Sequence, residues 1–327
     1  MSQEVQKGLD DVVVAESSIS AIDGDAGRLV YRGYPIEELA EDASFEEVLY
    51  LLWHGDLPDS GELEAFAAEM AAERAVHDDV IDLTCDLVAA GERPMAALRT
   101  GVSMLSAYEP EGTAEPGDLE AALRKGRRIT ARVPTVLAAL ERERRDLDPL
   151  DPREDLSHAA NFLYMLEGEE PDDVAVEALD RALTLHADHG LNASTFTAMV
   201  VASTLADMYS AVTGGVAALS GPLHGGANQE VMEMLVEIDE SGEDPVDWVQ
   251  TAMEEREGWR VPGFGHRVYN VKDPRAEILQ EQARELGEAS GDRKWYEYTT
   301  AIEEHLTGEV GLTERGIAPN VDFYSGS

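Results

Sequence analysis

The sequence predicts an all-α protein with one small β-hairpin near its start. Three observations predict it. Apolar residues recur at helical spacing through most of the chain, as in Val231, Met234, Leu235 and Ile238. Helix-start and helix-stop residues punctuate those stretches. Residues 12–31 depart from the pattern, because β-branched runs there flank a glycine-rich turn.

Taken in order, Val12-Val13-Val14 and Ile19–Ile22 lie before Asp23-Gly24-Asp25-Ala26-Gly27, and Leu29-Val30-Tyr31 follows, which predicts the hairpin. Ser44-Phe45-Glu46-Glu47 is a capping box that opens a helix through His54, with Gly55 fitting its C-cap. Asp59-Ser60-Gly61-Glu62 opens the next helix in the same way. Residues 109–118 and 144–155 read as acidic loops. The single cysteine, Cys85, lies in an apolar helical pattern and reads as a small buried hydrophobe. Residues 193–219 mix alanine with Ser, Thr, Val and Met and carry Asp207 as their one charge. A stretch apolar nearly all round is buried, and small residues let helices approach closely, so this segment is expected at the centre of the molecule and in a subunit interface. The expected division is a large helical domain over 1–223 and a small domain over 224–327.

The charge balance is extreme. Asp and Glu number 67 against 25 Lys and Arg, for a formal net charge of −42. Such a field repels phosphate backbones, which excludes nucleic acid as a partner. The acid is spread along the chain, and Lys7, Lys125, Lys272 and Lys294 are its four lysines. Self-repulsion of this size destabilises a compact state at low salt, and molar salt screens it within about 3 Å. That composition suits a halophile's cytoplasm. No apolar run reaches the length of a membrane span, and the polar start has no signal-peptide core.

Four histidines, His54, His77, His158 and His305, sit in helical contexts without a motif and read as structural. The others cluster with glycines and acids. In His186-Ala187-Asp188-His189-Gly190-Leu191-Asn192, Gly190 stops one helix and Asn192 caps the next, exposing His189 at the break. Two histidines three apart could share a metal, but no further ligand stands at a telling distance, so no metal site is predicted. In Gly221-Pro222-Leu223-His224-Gly225-Gly226-Ala227-Asn228, His224 falls just before a helix N-terminus. The dipole there disfavours imidazolium, and a neutral ring can donate a hydrogen bond to a carbonyl becoming an enolate.

The third cluster is Val261-Pro262-Gly263-Phe264-Gly265-His266-Arg267, followed by Lys272-Asp273-Pro274-Arg275. Asp273 fits an N-cap and Pro274 an N1 position, so Arg275 projects from a helix's first turn, able to grip a carboxylate with two hydrogen bonds. Gly263-x-Gly265 lacks the strand and third glycine of a dinucleotide fingerprint. The fourth is Pro319-Asn320-Val321-Asp322-Phe323-Tyr324. Buried between Val321 and Phe323, Asp322 would be desolvated and strengthened as a base. One desolvated carboxylate, three histidines beside glycines and one arginine suit proton abstraction next to a carbonyl, with carboxylate binding and oxyanion stabilisation.

These motifs, with Ser18-Ile19-Ser20, Ile22-Asp23-Gly24 and Tyr31-Arg32-Gly33-Tyr34-Pro35-Ile36-Glu37-Glu38-Leu39, closely resemble citrate synthase over essentially the whole chain. The likeness is greatest to the shorter archaeal and bacterial type. It implies an all-α homodimer with its active site between a large and a small domain, no cofactor, and acetyl-CoA and oxaloacetate as substrates. By matching motif it implies that Asp322 removes a methyl proton from acetyl-CoA, His224 hydrogen-bonds the thioester oxygen, and His266 polarises the oxaloacetate carbonyl. His189 and Arg275 would hold oxaloacetate. The backbone of Val261, Pro262, Gly263 and Gly265 would read the CoA adenine, and Arg315, with Arg267 or Lys272, would meet CoA phosphates. Asn270 stands where family members often carry a basic residue.

The family continues beyond the position of Ser327 into a segment that supplies two more arginines for oxaloacetate. Residues 1–327 alone are therefore expected to bind oxaloacetate weakly and to turn over little. Two rival readings remain at this level. A 2-methylcitrate synthase would prefer propionyl-CoA, a difference of one methylene and about 1–3 kcal/mol. A non-catalytic acyl-CoA-binding or dimer-scaffold paralogue would lack turnover altogether.

Overall fold

A computed structural model describes residues 14–111, 117–221 and 224–326. The chain opens with strands β1 (Ser20–Asp23), β2 (Arg28–Tyr31) and β3 (Tyr34–Pro35). Helices follow as α1 (Ile36–Asp42), α2 (Phe45–His54), α3 (Ser60–Ala72), α4 (Asp78–Ala89), α5 (Pro94–Leu105), α6 (Leu119–Arg144), α7 (His158–Glu167) and α8 (Asp173–His186). Then come α9 (Ala193–Ala202), α10 (Met208–Leu219), α11 (Ala227–Ser241), α12 (Pro245–Glu255), α13 (Pro274–Ser290), α14 (Lys294–Glu304) and the short α15 (Val321–Ser325). The all-α expectation holds, and none of the described helices is long and apolar enough to cross a membrane.

The hairpin is a three-stranded antiparallel sheet in the order β1-β2-β3, with Ala21 opposite Val30 and Tyr31 opposite Tyr34. It is shorter at its start than the sequence suggests. Val14 is exposed and outside any strand, and Val12 and Val13 lie outside the described residues. The capping boxes form as expected: Ser44 Oγ accepts from Glu47 N–H while the Glu47 carboxylate accepts from Ser44 N–H, and Asp59 and Glu62 do the same. Gly55 ends α2 at φ 103°, a conformation that suits glycine. Cys85 is buried, its Sγ 3.7 Å from the Ala139 carbonyl, and burial pushes its thiol up to about 11.

Two larger apolar cores, and a smaller one around Phe45, Phe66 and Met70, organise the described helices. One joins Leu29, Tyr31, Ile36, Val48 and Leu51 to residues of α11, α12, α13 and α15, including Leu235, Val249, Ala276 and Phe323. The other packs Val80, Leu98, Val102, Ile129, Val136 and Leu140 around Tyr209. Arg128 ties the second core to the acidic loop. It pairs with Glu73 at 2.7 Å and with Glu109, which also accepts from Tyr209 O–H, so α10 is fastened to α6.

Residues 193–219 depart most from expectation. They form two helices packed on each other, with Gly214 so close that a Cβ would lie 3.1 Å from Val201. The break falls at Leu205, which is 72% exposed at φ 64°. No residue of α9 is buried, and Met199, Val200 and Leu219 are exposed. The composition announces burial, yet within the single chain only Tyr209 and Ala211 of α10 achieve it.

Under α2, the Asp180 carboxylate accepts from Phe45 N–H at 2.9 Å, and burial together with the nearby Glu46 charge pushes it up to about 6. A raised folded-state pKa means the folded chain holds this proton more tightly than the unfolded one. The contribution is thus full below the unfolded carboxylate range near pH 4 and is lost as pH rises through about 6. Asp180→Asn keeps an acceptor for Phe45 and removes the titration. It should stabilise the protein relative to wild type at pH 7.5, on the order of 1 kcal/mol, with the gain shrinking at pH 5. Urea midpoints at the two pH values check this, and a pH-independent difference would remove Asp180 as the cause.

Candidate active site

Asp322 is placed by the packing of its neighbours. Val321, Phe323 and Tyr324 are buried, and Phe323 is fully so, a burial worth about 1.5–3 kcal/mol that fixes the start of α15. Asn320 caps that turn, its Oδ1 accepting from Asp322 N–H at 2.9 Å. The same asparagine donates from Nδ2 to the Gly265 carbonyl at 2.9 Å and from its backbone N–H to Gly263 O at 2.9 Å. Gly265 N–H in turn donates to Ala318 O at 2.8 Å. The Val261–Gly265 loop and the Asp322 segment are therefore one hydrogen-bonded unit.

Gly263 is required in that unit. Its φ is +75°, and a Cβ there would lie 2.7 Å from Phe323 Cβ and 2.8 Å from its Cα. Gly263→Ala should push α15 away from the loop. The expected result is a loss of about 1–3 kcal/mol of stability and a turnover reduced by more than tenfold. Melting temperature and kcat measured together check it, and wild-type values for both would show that the loop does not hold Asp322.

His224 and Arg275, two of the predicted residues, stand near Asp322 together with His186. Burial raises the Asp322 carboxyl above the usual range, opposed by the charges of His186, Arg275 and His224, which places all three within its field. Asn228 of α11 donates to Ser325 Oγ at 2.8 Å, joining the helix that follows His224 to α15. Pro222 and Leu223 lie outside the described residues. His224 Nε2 lies 2.7 Å from Ser194 Oγ and accepts the Ser194 backbone N–H at 3.3 Å. An accepting Nε2 leaves the ring proton on Nδ1, so His224 presents an N–H donor. Ser194 was not legible as a site residue, because a serine in the first turn of a helix reads as a cap.

His266 is fixed in the opposite tautomer. Its Nδ1 accepts the backbone N–H groups of Val268 at 2.9 Å and Tyr269 at 3.3 Å, which leaves the proton on Nε2. Burial, with the Arg275 charge nearby, holds this imidazole below its ordinary value. His189 lies with its ring 5.3 Å from that of His266, and burial, reinforced by Arg275 and His266, lowers it to about 3. Both rings are neutral donors at working pH. The break that carries His189 is pinned by Tyr31, whose O–H donates to Asp188 O at 2.7 Å.

Arg275 sits in the first turn of α13 as expected, but it is already paired. Its Nε and Nη2 grip both oxygens of the fully buried Asp273 at 3.0 and 2.7 Å, while Nη1 has no partner among the described residues. Burial works against ionising Asp273, and the guanidinium outweighs it, holding the carboxyl below the usual range. His189, His266 and Asp273 bring ligand atoms within 4.8 Å of one another, a spacing a metal could use. The guanidinium already holds the Asp273 oxygens a metal would need, so the cluster is completed by an organic cation.

The positions matched to CoA divide. Arg267 and Arg315 are exposed, and Val261 and Gly263 are buried in the loop. Lys272 is turned inward: Nζ donates to Glu303 at 2.7 and 2.9 Å and to Gln280 at 2.7 Å, with the Tyr324 ring 5.1 Å away. Those contacts use its three N–H donors within the fold. Asn270 bonds the β1–β2 turn, its Nδ2 donating to Asp25 Oδ1 at 2.7 Å and its N–H to Gly24 O at 3.1 Å. A basic side chain there would give up that tie.

With this geometry in place, comparison with known proteins is direct. The family model described as citrate synthase, C-terminal domain, matches residues 8–327. The chain is 60% identical to citrate synthase of Haloferax volcanii, over 100% of this chain and 85% of that protein. A crystal structure of citrate synthase from Pyrobaculum aerophilum superposes with a TM-score of 0.89 at 41% identity, over 98% of this chain and 80% of the other. Citrate synthase from Thermoplasma acidophilum, solved with carboxymethyl coenzyme A and oxaloacetate, gives 0.88 at 31% identity, over 99% and 83%. Carried by the same motifs that build the site, the chain belongs to the citrate synthase family.

Proposed function

We propose that the citrate synthase reaction runs at this site with Asp322 as base and His224 and His266 as the two hydrogen-bond donors. Asp322 takes a proton from the methyl group of acetyl-CoA. The electron pair left behind delocalises onto the thioester oxygen, where His224 Nδ1–H donates to the developing enolate. The nucleophilic carbon then attacks the ketone carbon of oxaloacetate, the C=O π electrons go to the ketone oxygen, and that oxygen takes the proton of His266 Nε2–H, which the proton held by Asp322 replaces through solvent. Water hydrolyses the resulting citryl thioester to citrate and CoA. Arg275 Nη1 and His189 hold the oxaloacetate carboxylates, and the glycine loop with Arg267 and Arg315 receives CoA. Lys272 stays with Glu303 and leaves the phosphates to the arginines.

The observation that carries this assignment is the pair of opposite tautomers. Ser194 holds the His224 proton on Nδ1, and two backbone N–H groups hold the His266 proton on Nε2. Each ring thus has one fixed proton to offer, and His224 lies within the field of the desolvated Asp322. The test, in protein that also carries the family's C-terminal segment, is CoA release with oxaloacetate and either acetyl-CoA or propionyl-CoA in molar KCl. Release with acetyl-CoA is expected. A preference for propionyl-CoA would favour the 2-methylcitrate reaction, and no release with either would remove the catalytic assignment.

The same reading includes a homodimer in a salt-rich cytoplasm. The exposed apolar side chains of Met199, Val200, Leu205 and Leu219 on α9 and α10 support a second copy as the partner. Val200→Glu should shift the protein to monomer in molar KCl. Light scattering checks this, and an unchanged mass would place the dimer contact elsewhere.

A further inference from the structure

One buried side chain touches both of the histidines assigned above to oxaloacetate. Tyr269 lies on the loop between His266 and α13 and is 1% exposed. Its ring centroid is 5.5 Å from that of His189 and 5.0 Å from that of His266, while the two imidazoles are 5.3 Å apart. The three rings pack as a triangle. Its backbone N–H is one of the two donors on His266 Nδ1, at 3.3 Å. Its hydroxyl lies 3.2 Å from His189 Nε2, the only hydrogen-bond partner of that hydroxyl among the described residues.

The direction of that last bond follows from satisfaction of donors. If His189 Nε2–H donated to the phenol, the phenol hydrogen would have no acceptor in a nearly closed position. An unmade buried hydrogen bond is costly, so the arrangement with the phenol donating wins. Burial also raises the Tyr269 phenol far above its ordinary value, so it keeps its hydrogen at neutral pH. A neutral imidazole that accepts at Nε2 carries its proton on Nδ1.

We propose that Tyr269 is a positioning residue for oxaloacetate: its phenol fixes the His189 proton on Nδ1, its backbone N–H helps fix the His266 proton on Nε2, and its ring holds the two imidazoles at their mutual angle. One residue thereby sets the donor pattern of both histidines. The inference rests on the assignment of His189 and His266 to oxaloacetate made above.

Tyr269→Phe keeps the ring and removes only the hydroxyl. In molar KCl its KM for oxaloacetate should rise about tenfold, the effect of one lost buried hydrogen bond, with kcat reduced and KM for acetyl-CoA unchanged. The melting temperature should stay close to wild type, because the packing is retained. In protein carrying 15N-histidine, the His189 ring should show a protonated Nδ1 in wild type and a mixture of tautomers in Tyr269→Phe. A wild-type oxaloacetate KM in Tyr269→Phe, or an equal rise in both KM values with a lowered melting temperature, would overturn the proposal. His189→Ala separates it from the site assignment beneath it. If His189→Ala leaves oxaloacetate KM unchanged, the site assignment fails. If His189→Ala raises it and Tyr269→Phe does not, only the role of Tyr269 fails.

Discussion

In protein that also carries the family's C-terminal segment, Asp322→Asn should lower turnover by about a hundredfold or more while oxaloacetate affinity changes little. The reaction needs a base for a carbon-bound proton, and a positioned base contributes about 10²–10⁴-fold. Burial raises the Asp322 carboxyl above the usual range, which makes it a stronger base once ionised. The asparagine is isosteric, and the Asn320 cap contacts the backbone of residue 322, so the turn survives the change. Because the carboxyl must be ionised to act, wild-type activity should fall on the acid side at a pH above the ordinary carboxylate range. That limb should vanish with the residual activity of the variant. Steady-state kinetics across pH and calorimetry with oxaloacetate check both halves, and near-normal turnover in Asp322→Asn would remove the residue from the base role.

The second large effect is on stability. Between low salt and molar KCl the melting temperature should rise by roughly 10 °C or more, the shift that several kcal/mol produce in a chain of this size. A net charge of −42 drives it, since screening shortens the reach of repulsion from about 10 Å at 0.1 M to about 3 Å at 1 M. Salt also weakens attractive pairs, but the exposed ones, such as Arg284 with Glu288 at 2.7 Å, are worth about 0–1 kcal/mol each. The more buried pairs, Arg128 with Glu73 and Arg275 with Asp273, are screened least. Repulsion is therefore what salt removes. A melting temperature that is flat or falls over that range would contradict the halophilic reading.

The sequence by itself determined the local events and the chemistry they serve. The caps at Ser44 and Asp59, the αL stop at Gly55, the helix start at Asp273-Pro274 and the placement of His224 just before α11 are decided within four or five residues, and the structure repeats them. The glycine and histidine motifs were legible for the same reason, because close approach and proton donation restrict residue type at single positions. Tertiary structure alone decided who partners whom. Ser194 against His224, Tyr269 against His189 and Lys272 against Glu303 join residues 30, 80 and 31 positions apart. No local pattern encodes those distances. The same holds for Asp273, which the sequence marks as a cap and the fold also makes the counter-ion of Arg275. Residues 193–219 show the limit most plainly. Their composition states that apolar surface must be covered, but a hydrophobic face is non-directional and does not say by what. In the single chain that cover is incomplete on the exposed sides of α9 and α10.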